Sequence, residues 1–281
     1  MRLKADLTLL LVSILWGSAF VFQRIVGEQG GVYLFNGLRF LLGAIILLPF
    51  LRKQETASKK QWIWMGIAGS ILFIAAALQQ AGIQYTTAGN AGFITIMSVA
   101  IVPFVLLIGW GERPRPLAVV SVVMAGVGAF LLSTGGSFKV QKGDALELAG
   151  ALFWALHLVI IGKFATSFAS IQFAAGQFLV AGLLNLVAGL FLEQSQLNRD
   201  VIGAVVYTAV FSVGIGYTLQ VWAQRFTPPT DAALILSLEA VFAALTGWLF
   251  LSETLVTTQI VGCGLILGGV LLTQPHGGKS E

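Results

Sequence analysis

The sequence predicts an all-α integral membrane protein with ten transmembrane helices in two inverted-topology five-helix repeats. Three observations lead there. Hydrophobic residues make up 57% of the 281-residue chain and charged residues only 10%, with a mean hydropathy of +0.90. A soluble domain carries about 25% charged residues, so this chain cannot cover itself with a water-compatible surface. Its apolar residues fall into runs of about 20, the length that crosses ~30 Å of hydrocarbon. Finally, the pattern of runs recurs after roughly 140 residues, the self-similarity expected of a duplicated unit.

Charged, Gly-rich and Pro-rich breaks place the spans near 5–25, 32–51, 62–81, 88–109, 115–133, 143–163, 170–191, 200–224, 231–250 and 255–273. The first follows basic residues in "MRLKADLTLLLVSILWGSAFVF", as a signal peptide does. It runs on to about Ile25, however, and further spans follow, so it reads as an uncleaved helix. Trp62 and Trp64 open the third span, Trp110 closes the fourth and Trp222 nears the end of the eighth, positions suited to interfacial belts. Trp16 and Trp154 lie mid-span instead. "AGVGA" (125–129) and "GCGLILGGV" (262–270) give the fifth and tenth spans small-residue surfaces for close helix packing or a homodimer face. The single cysteine, Cys263, excludes an intrachain disulfide and reads as a packing residue. The runs are too long and too uniformly apolar for barrel strands.

The formal charge of +4 comes from 16 Lys+Arg against 12 Asp+Glu. The basic residues sit in short connections, which points to membrane orientation and away from nucleic acid. With the N-terminus inside, cytoplasmic segments hold 11 of them, the opposite side 4, and Arg39 lies within a span. "RKQETASKK" (52–60) contributes most. The expected location is the inner (cytoplasmic) membrane, with both termini cytoplasmic.

The repeat can be read residue by residue. An offset of 138 aligns Asp6 with Asp144, Trp16 with Trp154, Phe35 with Phe173, Arg39 with Gln177 and Phe40 with Phe178. An offset of 141 aligns Gln79 with Gln220, Thr86 with Thr227, Ala91 with Ala232 and Glu112 with Glu253. The expected units are 5–133 and 143–272. Five spans is an odd number, so the second unit enters the membrane inverted. That plan recurs in secondary transporters, with the substrate site near midplane between the halves. A channel or a rigid scaffold remains the alternative use of a duplicated bundle.

"LLLVSILWGSAFVFQ" (9–23), "FNGLRFLLGAIILLP" (35–49), "YTTAGNAGFITIMSVAIVP" (85–103) and "LILSLEAVFAALTGWLFLSE" (234–253) resemble the drug/metabolite transporter superfamily, EamA type. The resemblance covers almost the whole chain. It implies ten helices in two inverted halves, moving small metabolites and often exporting them. Many relatives carry a proline after the glutamate of the last motif. Here that position is Ala240, so a proline kink is available in the fourth span, at Pro103, but not in the ninth.

Ionisable groups inside spans are candidate functional sites, because each costs about 2.5–3.5 kcal/mol on an insertion scale if it faces lipid. Arg39, His157 and Glu239 qualify. Glu239 lies near midplane, where it can meet a substrate amine, carry a proton or make a structural bond, including one to Arg39. Arg39 can clamp a substrate carboxylate or pin two helices. His157 is a candidate proton carrier or a packing histidine. Trp16 and Trp154 can wall a cavity and stack on a flat or cationic substrate, or simply pack. Gln79, Asn90, Ser98, Gln177, Tyr217 and Gln220 supply further polar groups, with Gln177 and Tyr217 foremost.

Other classes lack their residues. Two His and one Cys without ligand spacing offer no metal site, and the glycine spacings in helices have no preceding strand for a dinucleotide. No HExxH or paired His/Asp cluster suggests an enzyme, and no cofactor is implied. Without a GxxxxGK[ST] loop, energy is expected from an ion or substrate gradient. The expected protein is a secondary transporter, an exporter, of a small metabolite such as an amino acid, working by alternating access. A broad drug exporter and a passive channel are the alternatives.

Overall fold

Apolar runs of this length satisfy their backbone polar groups inside a bilayer only as helices or closed barrels. Here they form helices. The computed structural model describes residues 1–29, 31–51, 56–86, 88–135, 139, 141–193, 198–251 and 255–273, with backbone alone at 88–90, 92, 247, 250, 251 and 273. Glu253 and the Asn90 side chain lie outside the described residues.

The first half comprises α1 (Arg2–Glu28), α2 (Tyr33–Leu51), α3 (Lys59–Gly82), α4 (Ala88–Trp110) and α5 (Pro116–Thr134). The second comprises α6 (Asp144–Phe164), α7 (Ser170–Leu192), α8 (Arg199–Tyr207), a π-helical segment (Thr208–Tyr217), α9 (Thr218–Ala223), α10 (Pro229–Leu236), α11 (Leu238–Leu251) and α12 (Thr257–Thr273). The eighth span is therefore α8, the π segment and α9, and the ninth is α10 and α11. Among the described residues, nine helical stretches are long and apolar enough to span a bilayer; a tenth, Thr257–Leu272, is shorter. Large apolar side chains point outward along them, as at Ile108, Leu190 and Phe191, where lipid replaces water. This is a multi-pass membrane protein.

Helix ends follow local chemistry. Ser58 and Gln61 form a capping box at the start of α3. Pro116 opens α5, and Gly135 closes it at φ 61, a left-handed conformation that glycine adopts without strain. The start of α2 is capped across the bundle: the backbone N–H groups of Val32, Tyr33 and Leu34 donate to the Glu193 carboxylate at 3.1, 2.6 and 3.0 Å.

The packing maps onto itself when the halves are exchanged. Repeat mates α2 and α7 pack together, as do α5 and α12. Helix α1 lies against α10–α11 and against the eighth span, while α6 lies against α4 and α3 in the corresponding way. Phe35, Phe40, Phe173 and Phe178, matched pairwise by the repeat, are all buried, and Phe40 and Phe178 stack with ring centroids 6.3 Å apart. The small-residue surfaces of α5 and α12 face each other. A Cβ placed on Gly128 would meet the Gly262 carbonyl oxygen at 2.6 Å, and one on Gly262 would meet that of Gly128 at 2.5 Å.

Two distortions break the regular spans, and neither needs proline. In the ninth span, Ser237 separates α10 from α11: its Oγ donates to Leu234 O at 2.6 Å, and Ala240 N reaches back to Ser237 O at 3.3 Å. The ninth span is thus interrupted at a serine one turn before Ala240. In the eighth span the chain widens into π geometry over Thr208–Tyr217, a feature often found at functional sites.

Candidate substrate cavity

Both distortions border one cavity. It measures about 720 Å³ out to its open mouth and is lined from both halves. The first half contributes Trp16, Arg39, Gln79, Thr95 and Ser98, among others; the second contributes Trp154, His157, Ser212, Tyr217, Gln220 and Glu239. Phe20, Gln23, Ser237 and several aliphatic side chains complete the wall.

Tyr217, the last residue of the π segment, stands at the aromatic centre. Its ring centroid is 4.7 Å from that of Trp16 and 6.3 Å from that of Trp154, so the repeat-matched indoles flank one phenol. The Trp16 indole Nε1 donates to Ser212 O at 3.1 Å. Gly216 makes that approach possible, because a Cβ there would meet Trp16 Nε1 at 2.7 Å. The widened backbone thus fixes the orientation of Trp16.

Arg39 is 2% exposed. Its guanidinium carbon lies 4.9 Å from the Phe35 ring centroid and 5.0 Å from that of Phe40, a cation–π setting supplied by its own helix. Glu239, in the first turn of α11, is partly exposed toward the cavity. Among the described residues, neither the Arg39 guanidinium nor the Glu239 carboxylate makes a hydrogen bond or an ion pair, and the two are not paired with each other.

His157 lines the cavity with its Nε2 2.8 Å from Gln177 Oε1. Gln177 itself is fully buried behind that histidine and is not part of the wall. The structure therefore brings Glu239, Arg39, His157, Tyr217, Trp16, Trp154, Ser98 and Gln220 to one cavity and sets Gln177 one layer back. Sequence reasoning passed over Phe20, Gln23, Thr95, Ser212 and Ser237. The repeat offset pairs Thr95 with Leu236 and so does not single it out, and nothing in the sequence marks Ser212 as a π-helical residue.

An ionic cluster joins the starts of α1, α5 and α10. Arg2 Nε donates to both Asp6 carboxylate oxygens at 2.8 and 2.9 Å, and its Nη2 donates to Asp231 at 2.8 Å. Arg115 donates to both Asp231 oxygens at 2.6 and 2.8 Å. Lys163 pairs with Glu112 just past the end of α4.

The EamA-like transporter family model matches residues 3–134 and 141–274, once for each half. An uncharacterized transporter of Archaeoglobus fulgidus is 34% identical over 274 residues, covering 97% of this chain and 86% of that protein. The threonine/homoserine exporter RhtA of Escherichia coli (strain K12) is 25% identical over 246 residues, covering 83% of this chain and 78% of that protein. A crystal structure superposes with a TM-score of 0.82 at 19% identity, over 98% of this chain and 97% of the other, a likeness of fold. Nine long apolar helical stretches and a shorter tenth among the described residues, two halves whose packing is preserved when they are exchanged, a cavity between them and a family match to each half agree: the chain belongs to the EamA-like transporter family.

Proposed function

We propose that this transporter exports a small zwitterionic metabolite, an amino acid or a close relative, across the cytoplasmic membrane by alternating access. Its support is a guanidinium and a carboxylate, both unpaired, in one cavity. Buried charges are costly unless something satisfies them, and a zwitterion satisfies both at once. Its carboxylate pairs with Arg39 and its ammonium with Glu239. Trp16, Trp154 and Tyr217 pack the side chain between them. The similarity to a threonine/homoserine exporter fits the same chemistry.

The basic residues put both termini in the cytoplasm. Residues 5–133 and 143–272 are then the two bodies that rock about the cavity, and the Arg2–Asp6–Arg115–Asp231 cluster closes its cytoplasmic end. The test is counterflow: proteoliposomes loaded with unlabelled L-threonine should accumulate labelled L-threonine transiently and saturably. A linear, non-saturating influx means a channel. A broad drug exporter is the second reading, favoured by the aromatic wall. Stabilisation of the protein on heating by unrelated organic cations, and not by amino acids, would establish it.

A further inference from the structure

A buried carboxylate without a partner among the described residues lies behind the cavity wall. Glu147, in the first turn of α6, is 1% exposed, and neither oxygen has a hydrogen-bond partner among the described residues. It sits where α3, α4 and α6 meet. A Cβ on Gly82 of α3 would meet Glu147 Oε1 at 2.7 Å, so glycine there makes room for the carboxyl. Thr95 of α4 lies beside it, short of hydrogen-bond geometry, and Asp144 on its own helix is the charged group that faces it. Asp144 is already engaged by the Thr86 hydroxyl and by Gln141 N. No cation pairs with Glu147 among the described residues.

Thr95 joins this pocket to the cavity. It lines the cavity, and its hydroxyl oxygen accepts from Gln79 Nε2 at 3.1 Å, which leaves its own proton free to turn toward Glu147. An ionised carboxylate shut in there without a partner is costly. A single proton removes the charge without needing further ligands, whereas a metal cation requires a cage of oxygens. The other two titratable candidates have other roles: the transport reading gives Glu239 to the substrate ammonium, and His157 is tied to Gln177 through Nε2.

We infer that Glu147 is a proton-binding site separate from the substrate charges, and that it couples transport to the proton gradient through the α3–α4–α6 junction. The carboxylate takes up one proton from the end of the bundle opposite the N-terminus. It releases that proton when the packing of α4 on α6 opens toward the other side. The coupling role rests on the transport reading above; the proton site does not.

Two measurements on the full chain test it separately. Infrared pH-difference spectra of detergent-purified protein, without substrate, should show a carboxylic C=O band that is lost in Glu147→Gln and shifted in Glu147→Asp. Unchanged bands in Glu147→Gln overturn the proton site. In proteoliposomes, each coupled proton supports about a tenfold concentration ratio of substrate per unit of pH gradient. Glu147→Gln should abolish gradient-driven L-threonine accumulation while leaving threonine counterflow within about twofold of wild type. Wild-type-like accumulation in the variant overturns the coupling role, as does accumulation driven by a sodium gradient alone. If the wild-type protein shows no threonine counterflow, the substrate reading fails, and the infrared result still decides whether Glu147 binds a proton.

Discussion

Thr227 Oγ1 donates a hydrogen bond to Asp6 Oδ1 at 2.8 Å, and its repeat counterpart Thr86 donates to Asp144 in the same manner. Each bond joins a threonine of one half to an aspartate of the other, so one interaction is built twice at opposite ends of an inverted bundle. The two ends differ in what surrounds the bond. Asp6 is linked through Arg2 to Asp231 and Arg115. The position matching Arg115 in the second half is Val256. Arg115, which completes the ionic latch at one end, is thus matched in the second half by an apolar residue.

Asp231→Asn should loosen that latch. Asp231 is 3% exposed, whereas Arg2 is 27% and Arg115 64% exposed, so solvent screening reduces the effect. A loss of about 2 kcal/mol for the closed end moves a two-state equilibrium about thirtyfold. In a Cys263→Ala background, a cysteine at Ala233 on the cavity wall should react faster with an impermeant thiol reagent applied from the side bearing the N-terminus. Equal rates with and without Asp231→Asn mean the cluster does not hold that end shut.

Gly216→Ala tests whether the π segment positions the cavity aromatics. The added methyl meets Trp16 Nε1 at 2.7 Å and Phe211 O at 3.2 Å, and the indole must give up its bond to Ser212 O. Overpacking of this kind costs about 1–3 kcal/mol. Taken from substrate binding, that raises KM by about tenfold or more, with little change in expression. Gly203→Ala, where no atom lies within 4 Å, is the control and should transport normally.

The duplicated helices and most cavity residues were legible because rare features carry them. An arginine, a histidine or a glutamate inside an apolar run stands out, and Trp16 and Trp154 were marked by a shared offset. Residues defined by backbone geometry were not legible. The π turn that aims Tyr217 and the break at Ser237 have no distinctive composition, since "AVFSVGIGY" and "LILSLEA" read as ordinary apolar helix. Glu193 follows the seventh span with no motif to mark it, and only the folded chain brings its carboxylate to the N-terminus of α2. Glu147 was overlooked for a related reason: near the start of a span it passes for an interfacial residue, and its burial depends on Gly82 of another helix.

Arg39 and Glu239 should fail in opposite ways if they divide a zwitterion between them. Arg39→Gln removes the partner of the carboxylate, so L-threonine should no longer stabilise the protein on heating, while a decarboxylated amine analogue still does. Glu239→Gln should reverse that preference toward the deaminated acid. Arg39→Lys keeps the charge but loses the planar fork, and is expected to bind threonine about tenfold more weakly or worse. Loss of all ligands in both variants, with intact folding, assigns the two charges to helix packing instead.

The crossing of α5 and α12 gives the sharpest prediction of stability, because the glycines of one motif divide into two kinds. Gly128 and Gly262 face each other so closely that any side chain meets backbone: a Cβ on Gly262 lies 2.5 Å from Gly128 O and 2.6 Å from Leu132 N. Backbone cannot turn aside as a side chain can, so the two helices must separate. Gly126 and Gly264, two residues away on the same helices, have nothing within 4 Å. In a membrane, close packing is what holds helices together, since lipid is as apolar as their surfaces. Gly262→Ala should therefore cost about 1–3 kcal/mol and lower the melting temperature in detergent, whereas Gly264→Ala should leave it unchanged. The opposite ranking, with Gly264→Ala the more damaging, would mean that the outward face of α12 is covered in the native membrane by another copy of the chain, and the shift should then depend on protein concentration.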